Sequence, residues 1–206
     1  MASVLIDSGE ELEEIPFPYL KQEPLHKYTL VLDLDETLIH FKIDPYDENK
    51  GLLRLRPGIF DFLDSMKKYY ELVVFTAATQ EYADPILDAL EKNTLYFDYR
   101  LYRKHCIIYE SDFVKDLSKL GRDLTKTMIV DNMPQNFRLQ KENGIFIKTF
   151  YGEDPDDSAL LDLIPILSKI AESRVKDVRK ALQIFRDEIL KRVSSNISRT
   201  TNNYKK

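Results

Sequence analysis

Carboxylate, hydroxyl and amide side chains follow three short apolar runs of this 206-residue sequence, at the point where each run stops. Asp33 and Asp35 come after the first run, Thr76 after the second, and Asp131 and Asn132 after the third. Three carboxylates brought to one place repel each other, which destabilises a fold unless a cation lies among them. Carboxylate and amide oxygens are the ligands that hard cations prefer. The spacing therefore predicts a magnesium-dependent site.

The apolar runs themselves have the pattern of buried parallel strands. Each is short, nearly continuous and bounded by polar residues, which is typical of strands covered on both faces. The four runs span residues 28–32, 71–75, 127–130 and 144–147. Helical patterns separate them, such as those that begin near Pro57 and near residues 79–81. This alternation predicts an α/β fold with a central, mostly parallel sheet flanked by helices, in which ligands bind at the carboxyl ends of the strands.

The remaining segments complete one domain with two arms. Residues 95–113 have strand composition, which predicts a strand or a hairpin at one sheet edge. Residues 156–158 have the composition of a helix N-cap, and apolar residues then recur at helical spacing as far as residue 193. We therefore divide the chain into an extended, acidic, proline-containing lead-in (1–27), a single domain (28–193) and a basic polar tail (194–206). We expect both ends to be solvated.

Composition excludes several classes of protein. The chain is 43% hydrophobic, which is enough to bury a core and argues against general disorder. No apolar stretch reaches the roughly 20 residues that cross a bilayer, and the start lacks a secretory pattern, so we expect an intracellular protein, nuclear or cytoplasmic. The single Cys106 cannot form an internal disulfide, which fits a reducing compartment. The net charge of −5 argues against a nucleic-acid partner.

Four motifs resemble one family of phosphatases. Residues 33–38, with the sequence DLDETL, match the DxDx[TV] signature of the haloacid dehalogenase superfamily, and resemble its FCP/SCP branch of NLI-interacting-factor-like protein phosphatases. Residues 75–85, 114–124 and 130–132 also resemble that branch, in the same order. Because the motifs are spread along the chain, the resemblance does not depend on one short string. It implies a Rossmann-like haloacid dehalogenase fold with a minimal cap.

The resemblance implies roles for the residues that react and that hold the metal. By analogy, Asp33 is the nucleophile, which attacks phosphorus and forms an aspartyl-phosphate. Asp35 is the general acid that protonates the leaving oxygen and the base that later activates water. In the family pattern Mg²⁺ is bound by Asp33, by the backbone carbonyl of Asp35 and by Asn132. The two aspartates are two residues apart, so in extended backbone they point to one side of the strand.

The same resemblance assigns residues to the substrate phosphate. Thr76 offers a hydroxyl group and Lys115 a positive charge, because phosphoryl transfer needs donors and cations at the equatorial oxygens. Arg103 falls where relatives carry an arginine that reaches the phosphate, and an ordinary surface arginine is the alternative. Asp131 is expected to orient Lys115 or a metal-bound water, and Thr37 is expected to brace the loop through hydrogen bonds.

These features predict a magnesium-dependent serine/threonine phosphatase that takes a phosphorylated protein or peptide, either the RNA polymerase II tail or another phosphoprotein. Relatives that act on that tail carry an extra β-rich insertion, for which residues 41–56 are too short. A non-catalytic binding module is one alternative, because residues 163–179 also resemble a mitochondrial inner-membrane translocase subunit of this fold. That subunit typically lacks the aspartate signature, which is complete here.

A small-molecule phosphatase is the other alternative, although phosphatases of that class usually carry a cap domain. The oligomeric state is not predicted.

Overall fold

Strands and helices alternate along most of the chain. The computed structural model describes residues 15–44 and 46–186. In chain order the strands are β1 Tyr28–Leu32, β2 Ile39–Asp44, β3 Asp47–Leu55, β4 Tyr70–Phe75, β5 Tyr99–Leu101, β6 Ile107–Tyr109, β7 Asp112–Val114, β8 Thr127–Asp131 and β9 Gly144–Phe146. The α-helices are α1 Ile59–Met66, α2 Gln80–Leu90 and α3 Ala159–Glu172, followed by α4, described over residues 178–186. Within the described part of the chain, no helix is both long enough and apolar enough to span a membrane.

A parallel sheet forms the centre of the protein, with the strand order β5–β4–β1–β8–β9. β1 lies in the middle, where Leu30 pairs with Leu72 of β4 on one side and with Met128 of β8 on the other. Every residue of β1, β4 and β8 is buried, as expected for a parallel sheet covered on both faces. The predicted α/β architecture and its four predicted strands are confirmed.

The two faces of the sheet are covered differently, because successive side chains of a strand point to opposite sides. Leu30 of β1 belongs to the larger core, which includes buried residues of α1, α2, α3 and α4. Val31 belongs to a smaller core on the other face. That face is covered by short 3-10 helices at Leu117–Leu120 and Pro134–Asn143 rather than by α-helices.

Part of the lead-in completes the smaller core. Leu20 is only 2% exposed, and its N–H donates to the carbonyl oxygen of Leu120 at 3.1 Å. Gly121 has a φ of +77°, and a Cβ atom there would lie 2.4 Å from Cβ of Pro18, so glycine permits this close approach. The expectation that the whole lead-in is solvated is therefore wrong for this segment. Residues 1–14 and the predicted tail, 194–206, lie outside the described residues.

Two hairpins extend from this body. β5 is an edge strand of the sheet, and β6 and β7 form an antiparallel hairpin, so the prediction for residues 95–113 is confirmed. Glu110 and Ser111 both have positive φ, which is the geometry of a two-residue hairpin turn. β2 and β3 form a second antiparallel hairpin, where the sequence analysis assigned no strand.

Candidate active site

The carboxyl ends of β1, β4 and β8 bring the predicted site residues to one edge of the sheet. Asp33 follows β1 directly, and its N–H donates to the carbonyl oxygen of Val130 on β8 at 3.0 Å. Asp131 is the last residue of β8, and Thr76 follows β4. These strands are neighbours in the sheet. The side chains that follow them therefore meet, although they are far apart in sequence.

The ammonium group of Lys115 lies between two of the carboxylates. Its Nζ donates to Oδ1 of Asp33 at 2.5 Å and to Oδ2 of Asp131 at 2.6 Å. The Lys115 side chain is completely buried, and its backbone N–H donates to the carbonyl oxygen of Asn136 at 2.6 Å. Asn136 Nδ2 also donates to both carboxylate oxygens of Asp131 at 3.2 Å. This network holds a buried positive charge directly behind Asp33.

Burial and charge act in opposite directions at this ion pair. Burial disfavours the charged form of Lys115, but Asp33 and Asp131 outweigh it and raise the pKa of the ammonium, which stays protonated. Burial raises the pKa of Asp33 to about 7, and the Lys115 ammonium and the Thr37 hydroxyl oppose that shift. A cation bound next to the carboxyl group favours its ionised form. A bound metal would therefore hold Asp33 in the state that a nucleophile requires.

Thr37 connects the first aspartate to Asn132. The turn after β1 places Glu36 at a φ of +55°, and Thr37 is completely buried just beyond it. The Thr37 hydroxyl donates to Oδ2 of Asp33 at 2.8 Å and lies 3.5 Å from Oδ1 of Asn132. The carboxylate of Asp33 and the amide oxygen of Asn132 are thus neighbours of one hydroxyl group.

The donor set at this edge fits a hard, oxygen-binding cation. Asp33 offers a carboxylate and Asn132 an amide oxygen, and the backbone carbonyl of Asp35 completes the set that the family pattern implies. Among the described residues, no group of three or more His, Cys, Asp or Glu side chains could hold a metal. A site for Mg²⁺ here therefore depends on amide and backbone oxygens together with the aspartate.

Asp35 is held by two hydroxyl groups. Tyr82, on α2, donates its phenolic hydroxyl to Oδ1 of Asp35 at 2.7 Å. Oγ1 of Thr76 lies 3.4 Å from Oδ2 of Asp35 and accepts the N–H of Ala78 at 2.9 Å. Burial first, and then the hydrogen bond to Asp35, raise the pKa of Tyr82 above its usual value. Its hydroxyl therefore remains a donor at neutral pH.

Arg103 lies at the rim of the site and is exposed to solvent. Its Nε donates to the carbonyl oxygen of Ala77 at 2.7 Å, and its guanidinium carbon lies 4.9 Å from the centre of the Phe113 ring. Ala77 is next to Thr76, so the arginine is tied to the loop that follows β4. The contact of Arg103 with a substrate phosphate stays a prediction.

An open cavity of about 510 Å³ covers the site. The predicted residues among those that line it are Asp33, Asp35, Thr76, Arg103 and Asn132. Lys115, Asp131 and Thr37 are not among them and lie buried behind the lining. The arrangement offers one carboxylate backed by a positive charge and a second, more exposed carboxyl group beside it. This is the chemistry of a nucleophile and a proton donor.

Sequence reasoning missed two residues of this site. Tyr82 was not assigned to the site, yet its hydroxyl donates to Asp35. Asn136 was given no role, yet it contacts Asp131 and Lys115. Tyr82 lies close after Thr76 in the second motif, which is the one signal that could have drawn attention to it.

Comparison with known proteins points to one family. The sequence profile of the NLI interacting factor-like phosphatase family matches residues 28–179. A probable C-terminal domain small phosphatase of Dictyostelium discoideum is 40% identical over 196 residues, which are 88% of this chain and 62% of that protein. The human carboxy-terminal domain RNA polymerase II polypeptide A small phosphatase 2 is 35% identical, over 80% of this chain and 64% of that protein. This chain thus spans less than two thirds of either relative.

Solved structures give the same fold. The fission yeast RNA polymerase II CTD phosphatase Fcp1, bound to beryllium fluoride, has a TM-score of 0.51 and 18% identity, over 82% of this chain and 56% of that chain. This likeness places the central parallel sheet and its helices within the haloacid dehalogenase-type fold. Because the family profile covers most of the sequence and includes every residue of the site, the chain belongs to the NLI interacting factor-like phosphatase family.

Proposed function

We propose that this chain is a magnesium-dependent protein serine/threonine phosphatase that acts through an aspartyl-phosphate on Asp33. The observation that carries the proposal is the placement of the Asp33 carboxyl group. It faces an open cavity, while the Lys115 ammonium and the Thr37 hydroxyl hold its two oxygens from behind. A carboxylate fixed in this way can attack phosphorus without first reorienting.

The reaction divides into two displacements. In the first, an oxygen of Asp33 forms a bond to phosphorus while the bond from phosphorus to the serine or threonine oxygen breaks. That oxygen keeps the bonding electrons and takes a proton from Asp35. In the second, Asp35 takes a proton from a water molecule, whose oxygen attacks phosphorus and releases phosphate from Asp33. One water molecule is consumed, and Asp35 ends protonated, as it began.

Charge around the phosphate is the second requirement of this reaction. Asp33, Asn132 and the carbonyl oxygen of Asp35 would hold Mg²⁺, which would supply positive charge to the phosphate oxygens when bound. Thr76 offers a hydroxyl at the cavity, and Arg103 offers a guanidinium at the rim. Lys115 acts from behind, because its single positive charge offsets part of the negative charge of Asp33 and Asp131.

The substrate that we propose is a phosphorylated segment of a protein. The cavity is open, and the β2–β3 hairpin lies at its side, where the Phe41 ring packs edge-on against Tyr82 at 6.0 Å. An open site admits a peptide, whereas enzymes for small phosphates commonly enclose them. The names of two relatives refer to the RNA polymerase II C-terminal domain, so that tail is the first peptide to test.

We further propose that residues 28–193 act as one domain inside the cell, in the nucleus or cytoplasm. Val178 and Leu182 of α4 are buried in the same core as α1 and α3, which supports a domain that continues beyond residue 179. The names of relatives that refer to the polymerase and to the nuclear envelope support the location. No nucleic-acid partner is proposed for this acidic chain.

Hydrolysis of p-nitrophenyl phosphate and of phosphoserine peptides, with and without EDTA, tests the proposal. We expect EDTA to abolish the phosphatase activity and added Mg²⁺ to restore it. The Asp33→Asn substitution should reduce the activity to background. The matched control is Asp61→Asn, which changes an exposed aspartate on α1 and should retain full activity. Wild-type rates for Asp33→Asn or for the metal-free protein would contradict the proposal. Peptide binding without phosphate release would favour a binding module, and preference for metabolite phosphates would favour a small-molecule phosphatase.

A further inference from the structure

The hydrogen bond from Tyr82 to Asp35 has no role in the steps described above. Its length is 2.7 Å, and it joins the first turns of α2 to the aspartate that we propose as the general acid. We propose that Tyr82 is a positioning residue for proton transfer by Asp35. The inference rests on the proposed function, because it needs Asp35 to donate a proton to the leaving oxygen.

The geometry distinguishes the two oxygens of Asp35. Oδ1 accepts the short hydrogen bond from Tyr82. Oδ2 has a longer contact with Thr76, at 3.4 Å, and that hydroxyl also accepts the N–H of Ala78. Because Asp35 lines the cavity, Oδ2 is the oxygen that remains able to carry a proton to a bound substrate. Tyr82 thus selects which oxygen reacts.

The tyrosine hydroxyl also stabilises the product of proton transfer. When the bond from phosphorus to the ester oxygen breaks, that oxygen takes the bonding electrons and the proton from Oδ2. Asp35 is left as a carboxylate, whose charge is spread over Oδ1 and Oδ2. A hydrogen bond to a charged acceptor is roughly twice as strong as one between neutral groups. The contact at Oδ1 therefore strengthens as the proton leaves.

The Tyr82 ring is held in place from a second side. It packs edge-on against Phe41 of β2, with ring centres 6.0 Å apart, and the ring itself is half-buried. The N–H of Ala83 donates to the carbonyl oxygen of Thr79 at 3.1 Å, which fixes the first turn of α2. A phenol fixed by both packing and backbone can hold a carboxyl group in one orientation.

A comparison of leaving groups tests this role. p-Nitrophenolate is a weak base that leaves without a proton, whereas the serine oxygen of a peptide needs one. For Tyr82→Phe we expect kcat/KM for a phosphoserine peptide to fall by about 10- to 100-fold, the value of one hydrogen bond to a charged group. The loss with p-nitrophenyl phosphate should be much smaller. Asp35→Asn should change the ratio of the two rates in the same direction as Tyr82→Phe and by a larger factor.

Tyr102→Phe is the matched control. Tyr102 donates to Oδ1 of Asp84 at 2.5 Å, so the substitution removes another tyrosine-to-carboxylate hydrogen bond, outside the cavity lining. We expect it to leave the ratio of the two rates unchanged. Thermal unfolding of each variant separates loss of fold from loss of proton transfer.

The double variant Tyr82→Phe with Asp35→Asn gives a second readout. If the tyrosine acts through Asp35, its removal changes the rate ratio little once Asp35 is gone. Equal losses on both substrates, no loss on either, or full additivity in the double variant would overturn the inference. These outcomes are distinct from failure of the proposed function, in which the wild-type protein itself releases no phosphate or Asp33→Asn remains active.

Discussion

Asp157→Asn tests how the turn that carries Asp33, the proposed nucleophile, is supported. Arg56, the largest fully buried side chain, forms two hydrogen bonds with Asp157: Nε to Oδ1 at 2.8 Å and Nη2 to Oδ2 at 2.9 Å. Its other donors reach the carbonyl oxygens of Thr37, at 3.1 Å, and of Lys148, at 2.7 Å. The pair thus links the start of α3 to the residue that holds Asp33. The substitution removes the countercharge and keeps one acceptor oxygen.

The loss of stability expected for Asp157→Asn follows from the burial of the Arg56–Asp157 ion pair. The side chains of Arg56 and Asp157 are 0% and 2% exposed, so water cannot replace the lost charge. Removing one partner of a buried ion pair costs about 3–5 kcal/mol. Because the two carbonyl contacts of Arg56 remain, we expect the lower end, about 3 kcal/mol. For a domain of this size that corresponds to a fall in Tm of about 6–12 °C.

The stability difference between wild type and Asp157→Asn should decrease as the pH falls. The hydrogen bond from Arg56 lowers the pKa of Asp157, against the effect of burial, which raises it. A carboxyl group whose pKa is lower in the folded state stabilises that state at any pH above its pKa in the unfolded chain. This stabilisation is lost as the pH falls through the pKa of the folded state. The difference between wild type and variant should therefore be complete at neutral pH and shrink below about pH 4.

Urea unfolding, followed at neutral pH and in acid, measures this difference as a shift in the midpoint at constant m. Asp154→Asn is the matched control, because its partner Lys148 is exposed, and its midpoint should not move. A double variant, Arg56→Met with Asp157→Leu, should recover part of the loss, since apolar side chains can replace a buried pair. Equal midpoints for Asp157→Asn and wild type, or a difference independent of pH, would refute the reasoning.

Two further substitutions test the role of the Lys115 ammonium behind Asp33 and the docking of the lead-in. Lys115→Met leaves Asp33 and Asp131 without their shared cation. We therefore expect kcat for p-nitrophenyl phosphate at saturating Mg²⁺ to fall by at least about 100-fold. A wild-type rate would contradict the role of Lys115. Leu20→Ala removes a side chain that fills the smaller core, and urea unfolding should show a loss of about 2–5 kcal/mol. An unchanged midpoint would show that the lead-in contributes nothing to stability.

Strands were the most predictable part of the fold. A strand covered on both faces is largely apolar, and this local property identified β1, β4 and β8; β9, at the sheet edge, is also apolar, although its Phe146 is exposed. The β2–β3 hairpin was missed, because its residues mix charged, polar and apolar types, and Ile39 is the only fully buried one among its described side chains. Docking of Leu20 was missed for a similar reason, since the prolines and acids of the lead-in interrupt any helical pattern of its apolar residues.

The sequence by itself indicated the residues that we propose to react and to hold the metal. Asp33 and Asn132 follow buried strands directly, and Asp35 lies two residues after Asp33. Their positions therefore depend on where β1 and β8 end, and a local apolar pattern marks those ends. The charge repulsion among Asp33, Asp35 and Asp131 also follows from residue types alone, whereas the position of the Lys115 ammonium between two of them does not.

Only the tertiary structure decided what surrounds those residues. Lys115 reaches Asp33 across 82 positions of sequence, and Tyr82 reaches Asp35 across 47. Arg56 meets Asp157 across 101 positions. A lysine, tyrosine or arginine has the same local sequence pattern whether it is exposed or buried. Its partner is fixed by the order of the strands and the packing of helices against them, which local periodicity does not encode.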